Sequence, residues 1–467
     1  MIKSVKTFPF VLVFLALLAL VVFFGAARAK EPLADTTSSQ SVLKIQEVTS
    51  ASGLKAWLVE DHTVPVIALQ FGFKDAGSKL DPPEKQGLTQ MASNTLDEGA
   101  GELDSQAFQG ELQNLSISLS FNSGRDDFSG DLKTLSRNKA RAFELLKLAL
   151  TQPRFDAEPV ERMRIANLSR VKSSMTQPEW IASRIQNDKI FEGHSYALNS
   201  GGTLTTLKNI TPDDLRGFMK RLGKNNLVVG VAGDITAEEL KAVLDDVFGS
   251  LPEAPVTESK PFTLSHPGKT FLHVQDIPQT VIEMSQGGIS RNDPDYQTAQ
   301  VMNFVLGSSG FGSRLTEEVR EKRGLTYGIY TYFMDYEDAQ ILHVSTSTAT
   351  ANVKAVLDIV NEEWTKMLST DISPKELEDA RNYLIGSLPL SLTSTDKIAD
   401  LLYSLQADDL PITYLDERQK KIESTTVADV RRVAERLLKP ENFTVILVGQ
   451  KAEITGAVPV EALANVD

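Results

Sequence analysis

The chain has 467 residues, of which 41% are hydrophobic and 24% are charged, and its net charge is −14. This length and this proportion of hydrophobic to charged residues fit two globular domains of about 200 residues each, and we expect most of the chain to be folded. The acidic balance disfavours nucleic acid or an anionic membrane surface as the main partner. Because the sequence contains no cysteine, disulfide bonds, thiolate nucleophiles and thiolate metal ligands are excluded.

The first 29 residues have the pattern of an export signal. Lys3 and Lys6 precede an uncharged apolar run at 8–24, and Ala27 and Ala29 place small residues before a predicted cleavage point after residue 29. The run is also near the shortest length that spans a membrane. We therefore predict an exported protein of a bacterial periplasm, with either a cleaved signal at 1–29 or an N-terminal anchor in the inner membrane.

A polar spacer at 30–42 leads into the first predicted domain, at 43–251. Residues 54–59 and 66–73 have the pattern of strands, and we predict that they pair with each other across a polar turn. Apolar residues at spacings of three and four then predict four helices, at 86–96, 105–114, 136–151 and 158–175.

The same order of segments recurs in the second half of the chain. Three segments have counterparts at a nearly constant spacing: 225–234 at 441–450, 210–215 at 425–430, and 155–158 at 372–375. Such self-similarity indicates a duplicated α+β unit. A linker with three prolines, at 252–262, separates the second predicted domain, at 263–459, from the first, and 460–467 form a tail.

Several strings in these repeats match landmarks of a known family. Gly87-Leu88 opens a helix, Gly193-His194-Ser195-Tyr196 follows in the first half, and the second half contains SRLTEEVREKRGLTY at 313–327. With the duplication, they resemble the pitrilysin/insulinase metallopeptidases, especially the bacterial branch similar to the mitochondrial processing peptidase. The resemblance implies two tandem homologous α+β domains of the LuxS/MPP-like metallopeptidase fold. Each is a mostly antiparallel sheet with helices packed on one face, and the two enclose a chamber where peptides add to a sheet edge.

In active members of that family, the helix after Gly-Leu carries the motif His-x-x-Glu-His, which supplies two zinc ligands and the general base. The matching positions here are Gln90, Ser93 and Asn94, so all three functional groups are replaced. The third ligand of the family, a glutamate on a later helix, is matched near Ser169 by Arg170, whose charge would repel a divalent cation. The resemblance therefore implies a zinc-deficient chain that binds no metal and hydrolyses no peptide by itself.

Arg320 and Tyr327 in the second half, by contrast, match the residues of the family. We predict that Arg320 ends a helix, that Gly324 stops it, and that Tyr327 shares a strand face with Ile329 and Thr331. Spacing alone also fits a solvated helix face beside an amphipathic strand. In the family, this Arg/Tyr pair contacts the substrate beside the zinc, and the resemblance implies that it donates hydrogen bonds to the developing oxyanion.

The loss of one site and the retention of the other suggest an incomplete subunit. We predict a heterodimer in which a homologous partner chain holds Zn²⁺, while this chain binds peptide or unfolded protein and donates Arg320 and Tyr327. Two alternatives remain open at this stage. The chain could be a non-proteolytic scaffold or peptide-binding protein of the same fold, or a homodimeric exported chaperone. A neighbouring gene for an exported chain with an intact zinc motif would favour the heterodimer.

Overall fold

The computed structural model describes residues 42–309 and 312–467. The predicted signal or anchor at 1–29 and nearly all of the polar spacer lie outside the described residues. Within the described part of the chain, no helix is both long enough and apolar enough to cross a membrane.

Twelve strands in the described residues form two six-stranded sheets. Sheet 1 contains β1 (Gln46–Thr49), β2 (Lys55–Glu60), β3 (Val66–Phe73), β4 (Ser118–Ser123), β5 (Phe128–Leu135) and β6 (Leu227–Gly233). Sheet 2 contains β7 (Thr270–Val274), β8 (Gln279–Gly287), β9 (Thr326–Asp335), β10 (Gln340–Ala349), β11 (Thr444–Gly449) and β12 (Val458–Pro459).

Five strands of each sheet follow the same order, which is β2-β6-β3-β5-β4 in sheet 1 and β7-β11-β8-β10-β9 in sheet 2. In both sheets the first pair of this series is parallel, and the remaining pairs are antiparallel. The chain is therefore a duplicated α+β unit with mostly antiparallel sheets, as the sequence predicted.

The predicted pairing of 54–59 with 66–73 is wrong. These residues form β2 and β3, but β6 lies between them and pairs with both. The residues of β6 from Val229 to Gly233 are all buried, so this strand takes a central place in the sheet. A polar turn between two strands does not make them neighbours when a more apolar strand from a distant part of the chain can insert.

Fifteen α-helices in the described residues surround the sheets. The first half contributes α1 (Leu88–Ser93), α2 (Ser105–Asn114), α3 (Lys139–Thr151), α4 (Ala157–Ser174), α5 (Pro178–Ile190), α6 (Thr206–Asn209), α7 (Pro212–Phe218) and α8 (Ala237–Phe248). The second half contributes α9 (Tyr296–Asn303), α10 (Val353–Ser369), α11 (Pro374–Gly386), α12 (Leu388–Ser391), α13 (Thr395–Ala407), α14 (Tyr414–Ser424) and α15 (Val427–Leu437). All four helices predicted in the first half are present.

Each sheet packs most helices of its own half against one face. In the first half, Leu69 and Phe71 of β3 belong to a core that also contains Leu145 of α3 and Leu244 of α8. A separate core in the second half joins sheet 2 to α10 and α15. The two cores follow the alternation of apolar residues along the strands.

The other face of each sheet is covered by a helix from the opposite half. Ile181 and Ile185 of α5 pack on Phe271, Ile446 and other apolar residues of sheet 2. Conversely, Leu402 and other residues of α13 pack on the second face of sheet 1. The two repeats therefore exchange one helix each, and neither sheet buries both of its faces with its own half.

The linker at 252–262 lies against the protein rather than apart from it. Ala254 is buried, and Ser259 Oγ donates to a carboxylate oxygen of Asp338 at 2.8 Å. The ring centroid of Phe262 is 4.9 Å from that of His194. The linker thus contacts both halves.

Candidate functional site

The residues that match the lost zinc motif lie at the end of α1 and bond to one another. Gln90 Nε2 donates to Ser93 Oγ at 3.2 Å and to Asn94 Oδ1 at 3.1 Å. Ser93 Oγ donates to the backbone carbonyl of Gln90 at 2.9 Å. The three side chains form one polar cluster.

Helix α4 completes this polar cluster through a residue that the sequence analysis missed. Asn167 is 4% exposed, and its Nδ2 donates to Asn94 Oδ1 at 2.9 Å. Arg170 lies almost one turn further along α4 and reaches the cluster through a bond of 3.1 Å to Asn167 Oδ1. Asn167, rather than Arg170, therefore makes the direct contact with α1. The signal in the sequence was only an asparagine three residues before Arg170 on a polar helix.

This polar cluster does not fit a zinc ion. Zn²⁺ is held in proteins by imidazole, thiolate or carboxylate groups, whereas the cluster offers amides, a hydroxyl and a guanidinium. Within 42–309 and 312–467, no group of three or more histidine, aspartate or glutamate side chains could hold a metal ion. No metal-assisted step is assigned to this chain.

Arg320 and Tyr327 lie on either side of a tight turn, and their side chains stack. Arg320 belongs to a π-helical segment, Thr316–Glu321, and Gly324 turns the chain towards β9 with a left-handed φ of 60°. The Cζ atom of Arg320 is 5.2 Å from the centroid of the Tyr327 ring, which is a cation–π distance. The structure thus brings together the two residues that the sequence analysis paired.

This donor pair is accessible from solvent. Tyr327 is 87% exposed, and the side chain of Arg320 is 29% exposed, with its Nε 3.5 Å from a carboxylate oxygen of Glu321. A guanidinium and a phenol at such a surface can both donate hydrogen bonds to one carbonyl oxygen.

The exposure of Tyr327 differs from the predicted strand alternation. Ile329, its predicted neighbour on the same face, is fully buried. The pairing of β9 with β10 explains the difference: Thr326 and Ile329 are three residues apart, but their partners Thr348 and Thr346 are two apart. Such a β-bulge changes the alternation and re-aims the extra side chain. The prediction of a shared face is wrong for this reason.

Two threonine hydroxyls fix the shape of the bulge. Thr326 Oγ1 accepts a bond from the backbone N–H of Gly328 at 3.2 Å and lies 2.8 Å from Thr346 Oγ1. Thr346 Oγ1 also lies 2.8 Å from the carbonyl oxygen of Gly328. The backbone N–H and the backbone carbonyl of Gly328, the residue after Tyr327, are therefore both hydrogen-bonded.

We expect Thr326→Val to release Tyr327 from Arg320, because it removes the hydroxyl that accepts from Gly328. The side-chain proton signals of Arg320 should lose the upfield shift that a stacked ring causes, and stability should fall by about 1–2 kcal/mol. NMR spectra and urea unfolding measure both effects. Thr365→Val, which removes an exposed hydroxyl bonded within α10, is the control. Unchanged Arg320 signals would contradict this role of Thr326.

A buried lysine joins the two halves near the C-terminal end of β9. The side chain of Lys79 is 4% exposed and lies 3.0 Å from a carboxylate oxygen of Asp75, 3.4 Å from one of Asp126, and in contact with Glu337 of the second half. Burial alone would lower the pKa of Lys79, but the hydrogen bonds to Glu337 and Asp75 raise it above its usual value. Lys79 therefore stays charged at the junction.

Next to Lys79 is a cavity of about 320 Å³ between the halves. Its walls include seven carboxylates, those of Asp75, Asp126, Asp127, Asp335, Glu337, Asp408 and Asp409. Burial raises the pKa of Glu337 and of Asp408 above the usual range, although Lys79 and Arg291 oppose this effect. The lining of this cavity therefore contains seven carboxyl groups and one lysine, Lys74.

Comparison with known proteins agrees with this arrangement. Residues 209–384, which include Arg320 and Tyr327, match the family model described as the peptidase M16 inactive domain. The chain is similar to the peptidase M16 family. Within this family, a solved peptidase M16 inactive domain from Pseudomonas fluorescens has a TM-score of 0.81 and 27% identity, over 88% of this chain and 99% of the other.

Other M16 relatives differ in what their names state. A protein from Helicobacter pylori named as a non-peptidase homolog, YmxG, is 26% identical over 88% of this chain and 95% of its own length. The beta subunit of the mitochondrial processing peptidase from Saccharomyces cerevisiae is 22% identical over 70% of this chain and 74% of its own length. The polar cluster and the match to the inactive domain both fit an inactive member of the M16 family.

Proposed function

We propose that this chain is the non-catalytic, substrate-binding subunit of an exported heterodimeric zinc metallopeptidase that acts on peptides. A homologous partner chain would hold Zn²⁺ in the periplasm, and Arg320 and Tyr327 would act at that partner's site. The observation that carries the proposal is an asymmetry within one chain. The polar cluster lacks every metal ligand, whereas the Arg320–Tyr327 pair is stacked and accessible.

The chemistry of the pair suits the hydrolysis of a peptide bond. When water attacks the peptide carbonyl, its oxygen becomes an oxyanion, and donors placed around it lower the barrier. The Tyr327 hydroxyl and the Arg320 N–H groups are such donors, and the guanidinium also offsets the developing charge. Zinc held by the partner chain would supply the chemistry that activates the water. This chain binds, orients and stabilises the substrate.

The edges of the sheets suggest how a peptide could bind. β4 and β9 occupy terminal positions in their sheets, and an extended peptide can pair with the backbone of such an edge strand. On β9, Tyr330 is 51% exposed and Tyr332 is 42% exposed, so the strand that starts at the donor pair also offers aromatic contacts. Backbone pairing would accept many sequences, as a subunit acting on unfolded peptides requires.

The decisive experiment combines this chain with a homologous exported chain that has the intact His-x-x-Glu-His motif. We expect zinc only in the partner, no cleavage by this chain alone, and cleavage of unfolded peptides by the pair. Arg320→Ala and Tyr327→Phe should each lower kcat by about 10²–10³-fold, the usual effect of removing one oxyanion donor. Steady-state kinetics on a fluorogenic peptide measure this loss.

Two variants serve as matched controls for these kinetics. Arg323→Ala removes a nearby arginine that is paired with Glu318, and Tyr383→Phe removes the hydroxyl of another exposed tyrosine in the second half. Both should retain the full kcat. An inert pair would reject the heterodimeric peptidase. An active pair with full kcat in both Arg320→Ala and Tyr327→Phe would reject the donor role alone.

A non-proteolytic scaffold or peptide-binding protein is the second candidate. The relative from Helicobacter pylori, named as a non-peptidase homolog, favours it, and so does the polar cluster, which is held together without any metal. A chain that binds unfolded peptides with the same affinity in the presence and absence of a zinc-bearing homologue, and never supports cleavage, would establish this second function.

A further inference from the structure

The segment that follows β12 returns to the first half of the chain. Val460 N donates to the carbonyl of Leu272 in sheet 2 at 2.9 Å, and Leu463 packs beside α5. Val466 is 5% exposed and accepts a hydrogen bond of 3.0 Å from the backbone N–H of Leu204. The residues that the sequence analysis described as a tail are therefore docked.

Asn465 makes the most specific contacts of this segment. Its Oδ1 accepts from Gln86 Nε2 at 3.2 Å, and its backbone carbonyl accepts from Asn199 Nδ2 at 3.0 Å. Its Nδ2 donates to a carboxylate oxygen of Asp188 at 3.1 Å. All three partners belong to the first half. Asn465 adopts a left-handed φ of 53°, a conformation that asparagine tolerates better than most residues.

Gln86, Asp188 and Asn199, which bond to Asn465, are here called the groove. Gln86 and Asn199 are oriented by further bonds in which Asn465 takes no part. Gln86 Nε2 also donates to the carbonyl of Pro83 at 3.1 Å, and Gln86 Oε1 accepts from the backbone N–H of Asn199 at 2.8 Å. Asn199 Oδ1 accepts from the backbone N–H of Gly201 at 3.1 Å. Recognition groups fixed in this way need little reordering to bind a ligand.

The same groove is linked to the polar cluster at the lost zinc site. Arg170 donates to the carbonyl oxygen of Gly201 at 3.1 Å and to Asn167 at 3.1 Å. Gln86 lies two residues before the start of α1. A ligand in the groove therefore contacts the segment that leads into α1 and the segment at 199–201, to which Arg170 of the cluster bonds.

We propose that this groove is a peptide-recognition site for an asparagine followed by a small aliphatic residue, and that residues 463–466 occupy it as an internal ligand. This inference does not depend on the heterodimeric peptidase proposed above. A tethered ligand has an effective concentration on the order of millimolar, so the docked segment excludes weaker peptides from the intact chain. Weakening the segment opens the site to the same sequence supplied in trans.

The test uses the full chain with Asn465→Ala and Val466→Asp together, and a synthetic peptide of residues 460–466 with a fluorescent label. Hydrogen exchange at the Leu204 amide should be about tenfold faster in this double variant than in the wild type. Added peptide should restore the protection, and fluorescence anisotropy should show binding to the variant but not to the wild type. Asn465→Ala alone is the milder variant should the double one fold poorly.

Two controls separate recognition from general loosening. Glu461→Ala changes an exposed side chain of the same segment and should leave Leu204 protected. A peptide with aspartate in place of the asparagine should bind at least about tenfold more weakly. Unchanged exchange at Leu204 in both the double variant and Asn465→Ala would overturn the proposal, and so would equal binding of the asparagine and aspartate peptides. So would a loosened variant that no peptide protects.

Discussion

Replacing Leu402 by alanine is expected to lower the free energy of unfolding of the whole chain by about 2–5 kcal/mol. Leu402 belongs to the second half, yet it is fully buried in a cluster with Trp57 and Val59 of sheet 1. Truncation leaves a cavity in a face that the first half cannot cover with its own helices. The loss should therefore be shared by both repeats rather than confined to α13.

Gly230 in β6 tests the same interface from the side of the sheet. A Cβ atom at this position would lie 2.5 Å from the carbonyl oxygen of Ala399 and 2.9 Å from the Cβ of Leu402. Because α13 approaches the sheet so closely, Gly230→Ala must push the helix away, and we expect a loss of about 1–3 kcal/mol.

Tryptophan fluorescence during urea unfolding can measure both losses in each half. Trp57 reports on sheet 1 and the fully buried Trp364 on the core of the second half. Variants in which either Trp57 or Trp364 is the only one of the three tryptophans retained should give the same midpoint, and Leu402→Ala should shift both midpoints equally. Lys397→Ala, on the exposed side of α13, should change stability by less than about 0.5 kcal/mol. A shift seen only at Trp57 would show that the halves unfold independently.

The second large effect is expected for Lys79→Met, which should cost about 3–5 kcal/mol at pH 8. The substitution removes the only cation that Asp75, Asp126 and Glu337 share among the described ion pairs. Burial already raises the pKa of Glu337, and loss of the ammonium group raises it further. A carboxyl with a raised pKa binds a proton on folding, so its penalty is largest at high pH and declines as the pH falls through that pKa.

Urea unfolding at pH 8 and at pH 5.5 measures this dependence. The cost of Lys79→Met should be smaller at pH 5.5, where the unpaired carboxyls take up protons. Lys133→Met is the matched control, because Lys133 pairs with Asp396 across the same two halves while both side chains are about half exposed. Its cost should be about 0–1 kcal/mol at either pH. A cost for Lys79→Met that is equal at both pH values would contradict the electrostatic explanation.

Much of the architecture could be predicted from local patterns. The predicted helix at 105–114 has the bounds of α2, because Asp104 caps it by accepting from the backbone N–H of Ala107 at 2.8 Å. The duplication was also visible, since equivalent strands have similar sequences. These features depend on neighbours in the chain, which a single sequence displays directly.

The errors arose where distant segments decide the outcome. The place of β6 between β2 and β3 depends on competition among strands far apart in sequence. The bulge at Tyr327 depends on how β10 pairs with β9, and the alternation of apolar residues in one strand cannot reveal an extra residue. The contact of Asn167 with Asn94 depends on how α4 lies against α1, and one sequence does not show this. The residue of α4 that makes the contact therefore lies nearly one turn before Arg170, the residue that was expected.

The exchange of α5 and α13 also restricts the order in which the two halves can complete their folding. Domains usually fold as units while the chain is being synthesised, with the N-terminal one first. Sheet 1 is complete once β6 has been synthesised, but its second face is covered mainly by residues of the second half, among them Leu402 and Leu415. Until then, a nascent first half exposes an apolar sheet surface. Chaperones that bind exposed apolar surfaces would be needed most during that interval.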